Sequence, residues 1–451
     1  MRIAVIGAGV VGVTSAYELT SDGHEVTVFE RRGSVAVEAS FAHAGLASPS
    51  CVAPWAAPGM PGRVLRGLFN REAIDRLNPR LRPATLAWLW RWWRSCTAAS
   101  HRTNRLRMQR LALYNQRRLQ HLTDRLKLDY EHTQGHLLLL RSARQQEAME
   151  PLLALLQEQG IPFERCDTSR SLALEPGLNA DTSLHAGIHL PRDEVGNCRQ
   201  FALLLRAEAE KLGARFKFHS TVQAIVAGKG ARPQVVSLHA PYDDTTLMAP
   251  DAEASPRNAA FEVTRPLNGP DEESFDAVLV CAATGARKLL SPLGLTLPLA
   301  AVYGQSITAP LRHHEAHPDV GPRSVVTDLS HQVVVSRLGD RIRVSGGCEL
   351  GGSPNTRDTD GLSTLYQVLN DWFPGAARLS QVQRWRGAAP MLPDGPPVVG
   401  PSGVPGVWLN LGHGSAGWAM ACGSARLVGD ALAGRRPEID TEGLGVERLV
   451  R

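Results

Sequence analysis

Cysteine is sparse and unpatterned: seven residues, at 51, 96, 166, 198, 281, 348 and 422, are odd in number and show no C-x-x-C spacing. That excludes a disulfide framework and gives no sign of a zinc module. Long apolar runs are missing too, and no stretch approaches the ~18 apolar residues of a membrane span. Met1-Arg2-Ile3-Ala4-Val5-Ile6 enters a glycine turn, too short a run for a secretory core, so a reducing, cytoplasmic setting is expected. No zinc-finger, helix-turn-helix or RNP pattern occurs, which removes nucleic acid from the expected partners, and no internal repeat is evident. Lysine is scarce, with five among 49 basic residues.

What is present is ordinary globular composition. Of 451 residues 43% are apolar and 21% charged, and the length allows two or three domains. The net charge of +5 is uneven: residues 63–118 carry fourteen Arg against Glu72 and Asp75, a local 14 − 2 = +12. Such a segment is either a solvated helical face or a surface for anionic lipid or an acidic partner.

Periodicity predicts a strand at 2–6, a helix at 10–22 and a strand at 24–30, a βαβ opening. An Arg-rich helical stretch follows over about 62–130, then a strand at 135–141, helices at 144–160 and 198–213, and a strand at 215–219. Residues 227–274 accumulate Pro, Gly, Asp, Glu and Ser and read as a surface insertion on a β-ribbon. A buried parallel-type strand at 276–281, strands near 299–309, 332–337 and 341–347, and helices at 361–373 and 417–432 complete the pattern. The expected class is α/β, a Rossmann-like domain with an inserted α+β domain. Residues 1–60, 191–295 and 376–451 fall to the first domain, and 61–190 and 296–375 to the second.

Gly7-Ala8-Gly9-Val10-Val11-Gly12 is G-x-G-x-x-G between a strand and a helix, with Glu30 ending the next strand. The glycines permit a tight turn, close approach of a pyrophosphate and helix–strand packing, and Glu30 suits a ribose diol. Ala283-Thr284-Gly285 ends another strand. Residues 408–418 form a strand, a glycine turn and a helix start that suits the charge on the N1/C2=O edge of a reduced flavin. Three separated nucleotide-facing turns favour FAD over NAD, which remains the weaker alternative.

With these turns on the page, the chain resembles the FAD-dependent D-amino acid dehydrogenases of the D-amino acid oxidase and glycine oxidase superfamily. The matching stretches are Val5 to Val13, Ala42-His43-Ala44-Gly45 with Ser48-Pro49, Ala53-Pro54-Trp55-Ala56-Ala57-Pro58-Gly59, Pro191-Arg192-Asp193-Glu194, Arg341-Ile342-Arg343-Val344, Pro393-Asp394-Gly395 with Pro397 to Gly400, and Asn410 to Gly423. The resemblance implies hydride transfer from an amino-acid Cα to flavin N5, giving an imino acid that hydrolyses to a 2-oxo acid and ammonia. It also implies a quinone or other respiratory electron acceptor and peripheral placement on the inner face of a bacterial inner membrane. No metal is implied. The cofactor positions it implies are Gly7, Gly9, Val10, Val11, Gly12, Glu30, Arg31, Ser40, His43, Ala44, Gly45, Val222, Ala283, Thr284, Gly285, Gly387, Gly412, Gly414, Ser415, Ala416, Gly417 and Trp418.

Departures from the family pattern bear on the substrate. The family's carboxylate-binding Arg after Trp385 is Ala389 here, and Arg386 lies on the opposite side of a strand from position 389. Gln305 stands where the close family places Tyr, His43 replaces Asn, and His331 replaces Tyr. Tyr303, Gln305, His43 and His331 are the substrate-pocket candidates, with His43 a non-covalent flavin neighbour rather than an attachment point. Arg337 and Arg343 match the family pattern, and a structural strand role is the leading of their two readings. In residues 86–94, Leu86, Leu89, Trp90 and Trp93 share one helical face with Trp88 and Trp92 beside it, either packed or an interfacial Trp/Arg patch. The leading expectation is D-amino acid oxidation. The alternatives are an amine or imino acid dehydrogenase or oxidase, and a non-catalytic flavin-binding subunit.

Overall fold

Short apolar segments from both ends of the chain meet in one sheet. In this computed structural model, which describes residues 1–67, 75–78, 83–227, 232–239, 270–312, 320–353 and 359–449, strand Arg2–Ile6 pairs in parallel with Glu25–Phe29 and, on its other side, with Ala277–Val280. Ala277–Val280 in turn pairs in parallel with Val407–Leu411. Arg215–Lys217 and antiparallel Val398–Pro401 close the edges of this six-stranded sheet. Its central strands are buried on both faces, as the continuous apolar runs require.

Helix Val10–Ser21 packs beside helix Trp418–Leu432, and the 29-residue helix Ala98–Leu126 lies against the latter. Burial of the first helix is so complete that its Glu18 carboxylate has no exposure. It is neutralised from two sides: Arg118 donates to both oxygens at 2.6 and 2.7 Å, and Arg426 adds a bond at 2.8 Å. Asn115 stitches the same helices together, accepting from the Cys422 and Gly423 amides at 2.7 and 3.1 Å.

The second layer is a nine-stranded, largely antiparallel sheet in which Ala300–Pro310 lies between Gln383–Met391 and Arg341–Leu350. Helix Thr359–Trp372 covers one face, with Leu365, Val368 and Trp372 packed against Ile307, Val335 and Val344. Strands Ala186–Val195 and Gln383–Met391 belong to this sheet. Residues 191–195 and 383–391 therefore lie with the inserted layer, not with the nucleotide domain to which the sequence assigned them. Pro191 and a run of polar residues hide the period-two pattern in the first, and Gly387-Ala388-Ala389-Pro390 hides it in the second.

Much of the 227–274 insertion, residues 228–231 and 240–269, lies outside the described residues; its flanks, Pro233–His239 and Asp271–Ser274, form an antiparallel ribbon with Ser220–Ala227. On helix Pro83–Ser95 the packed residues are Trp88 and Trp92, stacked on each other and against Trp55. Leu86, Trp90 and Trp93 instead face solvent at 53–56% exposure, and Leu65 on helix Met60–Gly67 is 60% exposed. The basic stretch is also less bare than its sequence count, because Arg63, Arg102, Arg107, Arg110 and Arg118 pair with Asp75, Glu158, Glu442, Asp440 and Glu18. Among the described residues no helix is long and apolar enough to cross a membrane.

Behind strand Val325–Asp328, the buried Asp328 receives bonds from Trp372 at 2.7 Å and Arg141 at 2.8 Å. Burial alone would raise this carboxyl; bonds from His331 and Trp372 and the charge of Arg141 outweigh it and hold it well below the usual range. The depressed folded-state value means its stabilisation is complete above the unfolded value of about 4 and fades as pH falls below it. Asp328→Asn is expected to flatten the acid limb of a denaturation-against-pH curve. Glu18→Ala, which strands two arginines, is expected to lower unfolding free energy by about 3–5 kcal/mol in denaturant titrations.

Candidate active site

The three glycine turns end three neighbouring parallel strands, so they open on the same edge of the six-stranded sheet, where an open α/β sheet binds its ligand. At the first, Gly7 has φ +100°, and a Cβ there would meet the Cys281 carbonyl oxygen at 2.8 Å. Gly12 lies so close to the Gly7 carbonyl that a Cβ would sit 1.8 Å from it. At Gly9 the nearest atom to such a Cβ is Ser40 Oγ at 3.6 Å, which leaves the backbone approachable. Ser40 Oγ accepts the Val10 amide at 3.1 Å; Val11 lies in the same first helical turn, whose amides lack i−4 acceptors. The first turn carries no acidic residue, so the positive helix end is left for phosphates.

Glu30 is half-buried, its Oε2 accepting the Ala8 amide at 2.7 Å and its Oε1 the Arg32 amide at 2.9 Å. Burial raises this carboxyl, and those two amides oppose the rise. Arg31 forks onto Glu38 at 2.5–2.9 Å. Val222 packs against the apolar cluster that contains Ile6, Phe29 and Val280, the C-terminal residues of three sheet strands. The second turn, Ala283–Gly285, carries Thr284 and leaves Gly285 open, with no atom nearer than 4.0 Å to an added Cβ.

At the third turn Gly412 has φ +82°, and Gly414–Ala416 leads into the helix that begins at Trp418. His413 is buried against Ser424 Oγ at 3.0 Å, and burial brings its imidazole down to about 3, so it is neutral. His43 bridges from the far side: its Nε2 bonds the Ser415 carbonyl at 2.9 Å, and its Nδ1 accepts the Gly45 amide at 3.1 Å. Those partners assign the proton to Nε2. Burial lowers the His43 value and keeps the ring neutral. With both ring nitrogens engaged, His43 is a positioning group between the 42–45 turn and the C-terminal turn.

Three side chains of the second sheet hold that 42–45 turn, and none of them was a sequence candidate for the site. Ser306 Oγ donates to the Ala42 carbonyl at 3.2 Å, Ser336 Oγ to Ala44 at 2.9 Å, and Arg343 Nη1 to His43 at 2.9 Å. Arg343 is fixed by Thr308 at 2.9 Å and brought down to about 10 by burial. These residues show which face of strand Ala300–Pro310 meets the cofactor domain. Gln305 stands opposite Arg386 in this register, away from Ser306, and Tyr303 lies against the Arg386 guanidinium. His331 is likewise held by Asp328 on the turn after Val325–Asp328, at 3.3 Å.

In the same register Trp385, Gly387 and Ala389 oppose Ser306, Gly304 and Val302 on the cofactor-side face. The Trp385 indole lies over Gly387, 1.9 Å from where a Cβ would stand. Arg386 points the other way, ion-paired with Glu349 and with its guanidinium 5.0 Å from the Tyr303 ring. A guanidinium compensated by a carboxylate is not a substitute for a clamp at Ala389.

The donors and bare glycines fit an extended dinucleotide with its phosphates at the first turn and its ring system between His43 and residues 412–418. A family model described as FAD dependent oxidoreductase matches residues 2–431. A D-amino acid dehydrogenase of Cereibacter sphaeroides is 41% identical over 453 residues, covering 100% of this chain and 96% of that protein. One from Rhizorhabdus wittichii is 38% identical over 450 residues, covering 99% and 100%. Among solved structures, glycine oxidase from Geobacillus kaustophilus aligns with TM-score 0.72 at 17% identity, covering 100% and 99%, and L-proline dehydrogenase from P. horikoshii with 0.67 at 14%, covering 98% and 97%.

Acid precipitation is expected to release all the flavin into the supernatant, because both His43 nitrogens are committed. Glu30→Ala, which deletes charge-assisted bonds worth about 1.5–3 kcal/mol, is expected to weaken FAD binding roughly tenfold to a hundredfold in fluorescence titrations.

Proposed function

Because the chain belongs to the FAD-dependent oxidoreductase family, we propose that it oxidises D-amino acids and passes the electrons to a quinone or other respiratory acceptor. The observation that carries this reading is the convergence of three glycine turns on one sheet edge, facing the Trp385 side of the second sheet. FAD bound there supplies the acceptor for the hydride that leaves the substrate Cα, and the imino acid product hydrolyses to a 2-oxo acid and ammonia. The helix end at Val10 would hold the phosphates, and Glu30 the ribose hydroxyls. Neutral His43 and His413 add no charge beside the ring, and Ser306, Ser336 and Arg343 fix the turn that carries His43. The Trp385 indole gives the pocket an apolar wall that excludes water. The work of these residues is to orient Cα–H, and no side-chain base is needed.

Ala389 specifically favours a second reading, an amine or imino acid substrate held without a carboxylate clamp. Anaerobic mixing with D-amino acids, L-amino acids and simple amines separates the two. The expected result is bleaching of the visible flavin band by D-amino acids alone. Bleaching by amines alone establishes the second reading, and a yellow protein that nothing bleaches indicates a non-catalytic flavin subunit. Ala389→Arg is expected to lower KM for D-amino acids about tenfold or more through a new bidentate contact.

The exposed Leu65, Leu86, Trp90 and Trp93, with Arg63, Arg66, Arg91 and Arg94 also exposed, support docking on an anionic bilayer where a quinone is within reach. Trp90→Glu with Trp93→Glu is expected to abolish sedimentation with anionic vesicles while flavin reduction by substrate stays unchanged.

A further inference from the structure

Cys51, His136 and Asp193 come from separate elements: the turn Pro49–Cys51, strand Thr133–Leu140 and strand Ala186–Val195. Cys51 Sγ lies 3.8 Å from His136 Nδ1, which lies 3.8 Å from Asp193 Oδ2, and the three atoms are all within 4.8 Å of one another. His136 and Asp193 are 1% and 0% exposed, and Cys51 is partly exposed.

The remaining polar atoms of the two buried groups are already committed. His136 Nε2 bonds Thr327 Oγ1 at 2.7 Å, and Ser50 Oγ donates to Asp193 Oδ1 at 2.7 Å. Each partner turns the other donor atom inward, as outer partners do around metal ligands. Asp193 Oδ2 is left fully buried with no hydrogen-bond partner among the described residues. A carboxylate oxygen in that state calls for a cation, since burying it uncompensated is costly.

We propose that Cys51 Sγ, His136 Nδ1 and Asp193 Oδ2 form a zinc site, its fourth position open on the Cys51 side. Bonds of about 2.0–2.3 Å in a tetrahedron separate neighbouring donors by roughly 3.3–3.6 Å, so the spacings found here need only small side-chain rotations. A thiolate and an imidazole select zinc over magnesium or calcium. Burial and then the charge of Asp193 push the Cys51 thiol up, with Arg105 opposing only in part, so the thiol loses its proton on binding the ion, and thiolate and carboxylate together cancel the ion's charge. The ion would brace the segment that carries His43, which is also tied by the Gly196 amide to Gly45 and the Ala47 amide to Glu194, both at 2.9 Å. The site stands independently of the substrate assignment.

The test is metal analysis of the FAD-loaded protein after chelator dialysis, re-equilibration with micromolar zinc chloride and gel filtration. The expected result is one zinc per chain, with binding about a hundredfold weaker or worse in Cys51→Ala and unchanged in Cys96→Ala. Should Cys51→Ala fail to fold, cobalt titration of the wild-type protein decides: thiolate charge-transfer and ligand-field bands, beyond the flavin's own absorption, are expected. Zinc below a tenth of an equivalent in the wild-type protein, equal zinc in Cys51→Ala, or cobalt bands without a thiolate component would overturn the proposal.

Discussion

A carboxylate with no access to water, Glu18, is the point on which the molecule is assembled. It sits in the helix that follows the first glycine turn, and its compensation comes from Arg118 on the long helix and Arg426 on the C-terminal helix. A buried charge of this kind permits only the arrangement that pairs it. The pairing locks residues 10–21 against residues 418–432, and so fixes the distance between the glycine turn at residues 7–12 and the one at residues 412–417. Arg426 also reaches Asp22, whose carboxyl burial would raise but whose bonds to Arg426 and Arg435 bring it down. Four hundred residues of chain separate the two turns, and no covalent link joins them.

The second sheet is fastened to that cradle by polar side chains rather than by apolar packing alone. Ser306, Ser336 and Arg343 all donate to carbonyls of residues 42–44, so one short turn is held from the sheet side, and His43 holds it from the Ser415 side. This geometry makes the alternation of side chains on Ala300–Pro310 and Gln383–Met391 decisive for chemistry. One face carries Trp385, Gly387 and Ala389 toward the cofactor domain. The other carries Tyr303 and Arg386, with Glu349 taking the guanidinium's charge. Arg386 and Ala389 stand three positions apart on the strand and therefore on opposite faces, so the cation is paired with Glu349 away from the face that carries Trp385 and Ala389.

Much of the candidate cofactor site was legible as a set of glycine turns because their signals are local. Gly7, Gly9 and Gly12 stand at the fixed spacing of a strand–turn–helix, Glu30 ends the next strand, and Gly412 to Trp418 repeat the same grammar. The substrate side was not legible, because its signals are non-local. Strand Ala186–Val195 contains Pro191 and polar residues that pair across a bulge, and Ser306, Ser336 and Thr308 look like any polar strand residues until their partners are known. The Trp-rich helix shows the limit of periodicity: the pattern marked a face through Leu86, Trp90 and Trp93, but Trp55, far off in sequence, draws Trp88 and Trp92 inward instead.

By itself the sequence determined the α/β class and the dinucleotide turns, since each depends on contacts within a few residues along the backbone, and three such turns set far apart in the chain favoured FAD over NAD. Only the tertiary structure decided how the ends meet through Glu18, which face of the second sheet looks at the cofactor, and that Cys51, His136 and Asp193 share one small space. These depend on partners tens to hundreds of residues apart, whose approach is set by burial and charge compensation and leaves no spacing to read in the chain.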